Sequence, residues 1–251
     1  MIPLDPSFYA RPIAHRGLHD RAAGIIENSL SAIELAIASG YGIEIDIQPS
    51  ADGQAMVFHD YAMDRLLGIN GPISSKTAAE LGELLLIDST DTVPTLSEVL
   101  AQVAGRAPAL IEIKDQDGQL GPGVGALEKA VGDALRGYEG AVALMSFNPN
   151  STRVLAEHCP GLPRGLVTDP FRKEDWPLVP AARRARLAMI PDLHASSASF
   201  ISHNRAYLNS APVAAVKARG MPVLCWTVRS AEQAQDAYRI ANQITFEGFR
   251  P

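Results

Sequence analysis

Short apolar runs that read as β-strands alternate along this chain with segments of helical period. Candidate strands lie near 11–15, 42–47, 55–59, 108–113, 141–146, 164–168, 187–190, 222–228 and 243–246. Between most of them helical signals recur. Leu30, Ile33 and Ile37 form an apolar stripe that follows Asn28 and closes at Gly40. Thr95 with Glu98, and Ser230 with Gln233, have the spacing of capping boxes, and Ala126–Arg136 and Ser151–His158 extend the series. Such alternation favours a parallel sheet. Nine strands are one more than an eight-stranded barrel holds, and the Gln48–Gln54 connection, with its Asp52-Gly53 turn, is too short for a helical crossover. Either 55–59 enters a barrel without a preceding helix, or it is a hairpin arm and 243–246 closes the barrel.

The strand ends carry the chemistry. Pro12-Ile13-Ala14 runs into His15-Arg16-Gly17, Gly42-Ile43 into Glu44-Ile45-Asp46, Met56-Val57-Phe58 into His59-Asp60, and Ala109-Leu110-Ile111 into Glu112-Ile113-Lys114. Side chains alternate along a strand, so Glu44 and Asp46 share one face while Ile43, Ile45 and Ile47 share the other, and Glu112 lies with Lys114. If the polar faces converge, they bring together the inventory for holding a divalent cation beside a phosphate and moving protons near it. Carboxylate ligands at Glu44, Asp46 and Glu112 suit Mg²⁺ or Ca²⁺ rather than Zn²⁺. His15 and His59 are the candidates for general acid–base work, to which an imidazole side chain is suited. Arg16 and Lys114 can neutralise a phosphodiester or act as counter-ions to the acids. Plainer roles stand beside these: Asn28 as a helix N-cap, Phe147 and Trp226 as barrel core, and Asp60 pointing away from His59 along the strand. His19, His158, His194 and His203 fall outside the motifs and read as surface or loop residues.

Taken in order, HRG at 15–17, Glu27-Asn28 ahead of a helix, ExD at 44–46, the Asp52-Gly53 turn, a run ending in His59-Asp60 and ExK at 112–114 resemble the glycerophosphodiester phosphodiesterases. The likeness continues through Ser146-Phe147 and Val223–Val228, over roughly residues 11–245. It implies an α/β fold of the TIM-type (β/α)₈ barrel kind, somewhat irregular, over 1–251, with a short inserted cap at 61–94 near the mouth. It also implies metal-dependent hydrolysis of a small-molecule glycerophosphodiester to glycerol 3-phosphate and an alcohol. His15 and His59 would be the catalytic pair, and Glu44, Asp46 and Glu112 would hold one divalent cation. Arg16, Lys114, Phe147 and Trp226 would bind substrate and phosphate, with Glu27 and Asn28 in support. One departure concerns the end of the chain: where the family usually has Ile-Thr-Asp, this chain has Ile244-Thr245-Phe246, so the role of that Asp is lost or passes to Glu247. Pro-Glu-Asn-Thr is likewise altered to Ile26-Glu27-Asn28-Ser29. The alternatives are a lysophospholipase-D-like phosphodiesterase acting on lysolipids, for which the sequence shows no apolar rim, and a non-catalytic barrel that binds a phosphate ligand.

Composition sets the outer bounds. The 251 residues are 47% hydrophobic and 20% charged, and a net charge of −6 without a basic cluster argues against a nucleic-acid surface. No stretch approaches a membrane span, and the early first strand leaves no room for a signal peptide. Cys159 and Cys225 form no disulfide framework and read as buried core, which points to a reducing, cytoplasmic setting. Oligomeric state is not legible from the chain.

Overall fold

The computed structural model describes residues 1–251. Its strands are β1 (Ile13–Ala14), β2 (Gly42–Pro49), β3 (Ala55–Val57), β4 (Ala109–Ile113), β5 (Val142–Ser146), β6 (Arg164–Thr168), β7 (Phe200–Asn204), β8 (Val223–Val228) and β9 (Gln243–Phe246). Eight of them run parallel in the order β1-β2-β4-β5-β6-β7-β8-β9, and β9 pairs with β1 to close a TIM-type barrel. The ninth, β3, is antiparallel to β2, with Ile47 opposite Val57 and Pro49 opposite Ala55. Of the two ways to place nine strands, the hairpin arm is therefore the one formed. Gly53, at φ +78, turns the hairpin in a conformation that side chains resist.

One expected strand is corrected. Residues 187–190 end a helix, Ala181–Leu187, and pass into a 3₁₀ turn, Pro191–Leu193. Leu187 and Ile190 are buried whereas Met189 is 66% exposed, so the run is apolar without having a strand's burial. The seventh barrel strand is Phe200–Asn204, where Ser202, His203 and Asn204 disguise it in sequence. Helix starts follow the expected chemistry. Thr95 and Glu98 form a reciprocal capping box, whereas Gln233 accepts from Arg229 N instead of the Ser230 amide. The helix Leu30–Ala38 is capped by Ser29 rather than Asn28. No helix is long and apolar enough to cross a membrane.

Parity sorts the strands into two environments. Ala14, Ile43, Ile45, Ile47, Ile111, Ile113, Ile244 and Phe246 face outward into the layer between strands and helices. Ile13, Leu110, Ala143, Met145, Val167, Phe200 and Leu224 face inward and fill the barrel floor, which Leu4 and Phe8 of the N-terminal segment join. The next inward positions toward the carboxyl ends are polar: Glu44, Asp46, Glu112, Ser202 and Thr245. Function sits at this end of such barrels because the floor is solid and the mouth is not. Residues 61–94 cover their own cluster of Met63, Leu66, Leu67, Ile73, Leu81 and Leu86, which packs on Met56 and Phe58 beside the mouth.

The floor depends on a small residue at one point. A Cβ added at Gly165 of β6 would lie 2.4 Å from the ring of fully buried Phe200. Gly165→Ala should therefore cost roughly 1–3 kcal/mol by overpacking and lower Tm by several degrees in a thermal melt. An unchanged Tm would show that the ring moves freely and that the floor is not close-packed.

Candidate active site

The site is assembled by register before side-chain chemistry enters. In the β2–β4 pair Asp46 lies beside Glu112, so two inward carboxylates are neighbours, and Glu44 stands two residues below Asp46. Oxygens of Glu44, Asp46 and Glu112 all fall within 4.8 Å of one another, and the three residues are only 1%, 1% and 6% exposed. Like charges this close in a dry site disfavour ionisation. Burial first, then the charges of Asp46 and Glu112, push the Glu44 carboxyl well above its ordinary value.

Two cations pair with the rest of the cluster. Lys114 Nζ lies 2.7 Å from Asp46 Oδ1 and 2.6 Å from Glu112 Oε1. Arg16 Nε lies 3.2 Å from Asp46 Oδ2. Burial works to raise the Asp46 carboxyl, but Lys114 and Arg16 outweigh it and hold Asp46 far below the ordinary range. Asn28 adds a hydrogen bond from Nδ2 to Asp46 Oδ2 at 3.0 Å and accepts from the Asp46 amide at 3.2 Å. The Asn28 backbone, at φ +61, is left-handed, which directs the side chain to Asp46 and leaves capping to Ser29.

The HRG turn is held from several sides. Arg16 is also left-handed, at φ +58, and its amide donates to Glu44 Oε2 at 3.0 Å. Gly17 follows at φ +77, where an added Cβ would lie 2.8 Å from the Ala32 carbonyl carbon, so this position admits only glycine. The turn carries His15 inward, on the parity of Ile13. Its Nδ1–H donates to Glu247 Oε2 at 2.5 Å, while Nε2 lies 3.9 Å from Glu44 Oε2. Arg229 Nη2 holds the other oxygen of Glu247 at 2.6 Å. The hydrogen bond from His15 brings the Glu247 carboxyl down to about 2. Burial moves His15 the other way, lowering its pKa so that the neutral ring is favoured.

His59 lies on the far side of the cluster, past the end of β3. Its Nδ1–H donates to Asp60 Oδ1 at 2.7 Å, so Asp60 does not point away from it. Strand alternation does not apply here, because β3 stops at Val57. Glu27 touches neither His15 nor the carboxylates: Arg16 Nη1 donates to its Oε1 at 2.6 Å, and Arg65 Nη1 to its Oε2 at 2.7 Å. Burial raises the Glu27 carboxyl, but these two arginines win and hold it down at about 2. Arg65 also donates from Nε to Asp60 Oδ2 at 2.6 Å, so one guanidinium from the 61–94 segment grips the carboxylates behind both Arg16 and His59.

Both histidines, the three carboxylates, Arg16, Lys114, Phe147 and Trp226 line one cavity of about 290 Å³. Ser202, Asn204, Arg205 and Arg229, which lie outside the sequence motifs, also line it, as do Thr227 and Thr245. A wider groove of about 730 Å³ adjoins it at His59 and is walled by Tyr61, Leu120, Phe147, Trp176 and Trp226. The sequence shows no such apolar rim, because its members come from segments far apart in the chain; Phe147 lies 4.8 Å from Trp176 and 5.5 Å from Trp226 between ring centroids. His203 is not a surface residue: it is 3% exposed on β7, faces the helices and lies 2.8 Å from Thr168 Oγ1. His158 and His194 are exposed. The position expected to lack its usual Asp, Phe246, faces outward with its ring centroid 4.8 Å from that of Tyr41, and the neighbouring Glu247 is the acid that reaches His15.

A family model for the glycerophosphoryl diester phosphodiesterase family matches residues 15–247, the span from His15 to Glu247. The chain belongs to that family. Among relatives of this phosphodiesterase family, YhdW of Bacillus subtilis is 27% identical over 232 residues, covering 88% of this chain and 87% of its own length. A glycerophosphodiester phosphodiesterase of Caldanaerobacter subterraneus is 29% identical over 238 residues, covering 89% and 87%. An Oleispira antarctica phosphodiesterase, solved in complex with the product sn-glycerol-3-phosphate, superposes with a TM-score of 0.75 at 23% identity, over 94% of this chain and 92% of that one.

The donor set fits a hard divalent cation. Three buried carboxylates, one of them pushed up in pKa by burial and by the charges of the others, are an arrangement that a cation relieves more readily than the surrounding protein can. Glu44→Gln should show this as stability. A carboxyl whose folded pKa is raised above its unfolded value of 4.5 leaves the folded state holding more protons than the unfolded one. Stability attributable to Glu44 then falls as pH rises through that window. The Tm advantage of Glu44→Gln over the unaltered protein, measured in chelator, should widen as pH rises above 4.5 and shrink when Ca²⁺ or Mg²⁺ is added. A difference that ignores both pH and metal would show that no repulsion is stored there.

Proposed function

We propose that this chain hydrolyses glycerophosphodiesters to glycerol 3-phosphate and an alcohol, with His15 and His59 exchanging protons beside a divalent cation. The observation that carries this reading is the pair of histidines in one cavity. Each has its Nδ1–H fixed by its own carboxylate, Glu247 or Asp60, which leaves Nε2 to serve the cavity. A barrel that only binds a phosphate ligand needs neither carboxylate. Family membership, and the glycerol 3-phosphate in the Oleispira relative, support the same substrate class.

Mg²⁺ or Ca²⁺ on Glu44, Asp46 and Glu112 would act as a Lewis acid toward a phosphoryl oxygen and a neighbouring glycerol hydroxyl. The residues of the chain do the rest. Arg16 and Lys114, already ordered by ion pairs, face the phosphoryl group and stabilise charge that grows on its oxygens. Neutral His15 accepts the proton of the hydroxyl next to the ester through Nε2 as that oxygen attacks phosphorus. The bond from phosphorus to the departing alcohol breaks, and His59 gives the alcohol oxygen its proton. Water then opens the cyclic phosphate with the roles reversed: His59 takes the proton of water and His15 returns one to the glycerol oxygen. Holding hydroxyl and phosphate together makes the first step intramolecular. Phe147 and Trp226 wall the substrate between the two proton carriers, and the 61–94 segment acts as a cap that supplies Arg65.

Glycerol 3-phosphate release from glycerophosphoethanolamine tests this directly. Turnover should stop in chelator, return with Mg²⁺ or Ca²⁺, and be nearly absent for an analogue that lacks the hydroxyl next to the ester. Comparable turnover of that deoxy analogue would mean direct attack by water. Because an aromatic groove adjoins His59, lysophosphatidylcholine belongs in the same assay, and its preference over glycerophosphocholine would favour the lysolipid reading.

His15→Ala and His59→Ala should each lower kcat by about 10²-fold or more, with KM changing less. A diester with a very good leaving group should restore turnover only to His59→Ala, since only that variant lacks the acid. Equal restoration of both would overturn the assignment of base and acid.

A further inference from the structure

Across the barrel mouth from the carboxylate cluster stands a second polar wall that the proposed reaction leaves unused. In the ring of eight strands, β7 lies opposite β2 and β8 opposite β4. Ser202 of β7 and Arg205 just after it therefore stand across the ring from Glu44 and Asp46. Thr245 of β9 lies midway round the ring, two strands from β7 and two from β2, and all three line the cavity that holds the histidines.

Two features of this wall call for a ligand. Ser202 and Thr245 are 0% and 1% exposed, and neither hydroxyl has a hydrogen-bond partner within the protein. Buried hydroxyls are normally satisfied, and these two line the cavity. The second feature is charge. Of the four permanently cationic side chains that line the cavity, Arg16 is paired with Glu27 and Asp46, Lys114 with Asp46 and Glu112, and Arg229 with Glu247. Arg205 forms no ion pair. It is half-buried, and its Nε donates to the Thr227 carbonyl at 3.1 Å, which fixes the guanidinium while its Nη groups make no hydrogen bond within the protein. A guanidinium ordered in this way, in one cavity with two unsatisfied hydroxyls, has the donors that an oxyanion requires.

We propose that Arg205, Ser202 and Thr245 form a second oxyanion subsite, which binds a carboxylate or phosphate that the substrate carries in addition to its reacting phosphodiester. This rests on the phosphodiesterase reading above. The reacting phosphate is engaged near the cluster by Arg16 and Lys114, so the anion on the opposite wall is a different group.

The test uses three glycerol phosphodiesters that differ at one end: the esters of 3-hydroxypropanamide, 3-hydroxypropanoate and 3-hydroxypropyl phosphate. Because a hydrogen-bonded charge is favoured over a neutral isostere, the unaltered protein should prefer the carboxylate diester to the amide by roughly tenfold or more in kcat/KM. Arg205→Gln should bring that ratio close to one, and Arg205→Lys should keep part of it. Whether the phosphate or the carboxylate diester is preferred more strongly identifies the natural anion. A ratio near one in the unaltered protein, or an Arg205→Gln variant that slows both diesters equally, would overturn the second subsite; the latter result would place Arg205 on the reacting phosphate. If no diester is turned over, the phosphodiesterase reading fails. Calorimetric affinities of the amide and carboxylate diesters, measured on the full chain with Ca²⁺, then still decide the subsite by the same ratio.

Discussion

The repulsion among Glu44, Asp46 and Glu112 is the constraint on which the rest of the site depends. Three acids are held by strand register in a dry space where their negative charges cannot all persist alone. The structure answers with Lys114 between two of them, Arg16 against the third side of Asp46, and a raised pKa at Glu44 that makes its charge easier to give up. Each answer imposes a further demand. Arg16 needs Glu27, Glu27 needs Arg65, and Arg65 in turn holds Asp60 behind His59. The polar architecture of the mouth can be read outward from that one crowding of charge.

The barrel itself supplies the rigidity that this needs. Isoleucines on the outer faces of β2 and β4 lock those strands into the helix layer, so the inward acids cannot drift apart to relieve their repulsion. Floor residues such as Phe200 and Leu110 close the interior beneath them and keep water from approaching from below. A loosely packed scaffold would let the carboxylates separate, and the cluster would lose its preference for a cation. Packing and electrostatics are thus parts of one device.

Much of this was legible in the sequence wherever period-two alternation holds. The strand ends at His15, Glu44, Asp46, Glu112 and Lys114 obey it, and the structure brings all five to one cavity. What escaped lies where alternation stops or where partners are distant. Alternation places Asp60 on the side away from His59, but β3 ends two residues before His59 and the two side chains meet. Asn28 reads as a cap from its type alone, but its left-handed backbone aims it at Asp46. Arg65 and Glu27 meet across 38 residues of chain, and Trp176 reaches Phe147 from another loop; no local pattern announces either contact. Strand β7 gives no apolar run because, above Phe200, its inward positions are Ser202 and Asn204, and a strand that serves a polar cavity gives up its apolar signature.

The grip of Arg65 has an evolutionary corollary. The segment 61–94 carries a small core of its own, which is how an exchangeable module is built, although side chains such as Tyr61, Arg65, Asp88 and Ser89 tie it to residues outside it. Yet one of those side chains, Arg65, serves the supports of both Arg16 and His59. A lineage could lengthen, shorten or reshape this segment to suit a new alcohol, provided that some cation returned to the same point. Divergence of the cap is therefore tethered: its outline is free to change while a single positive charge is inherited with the barrel.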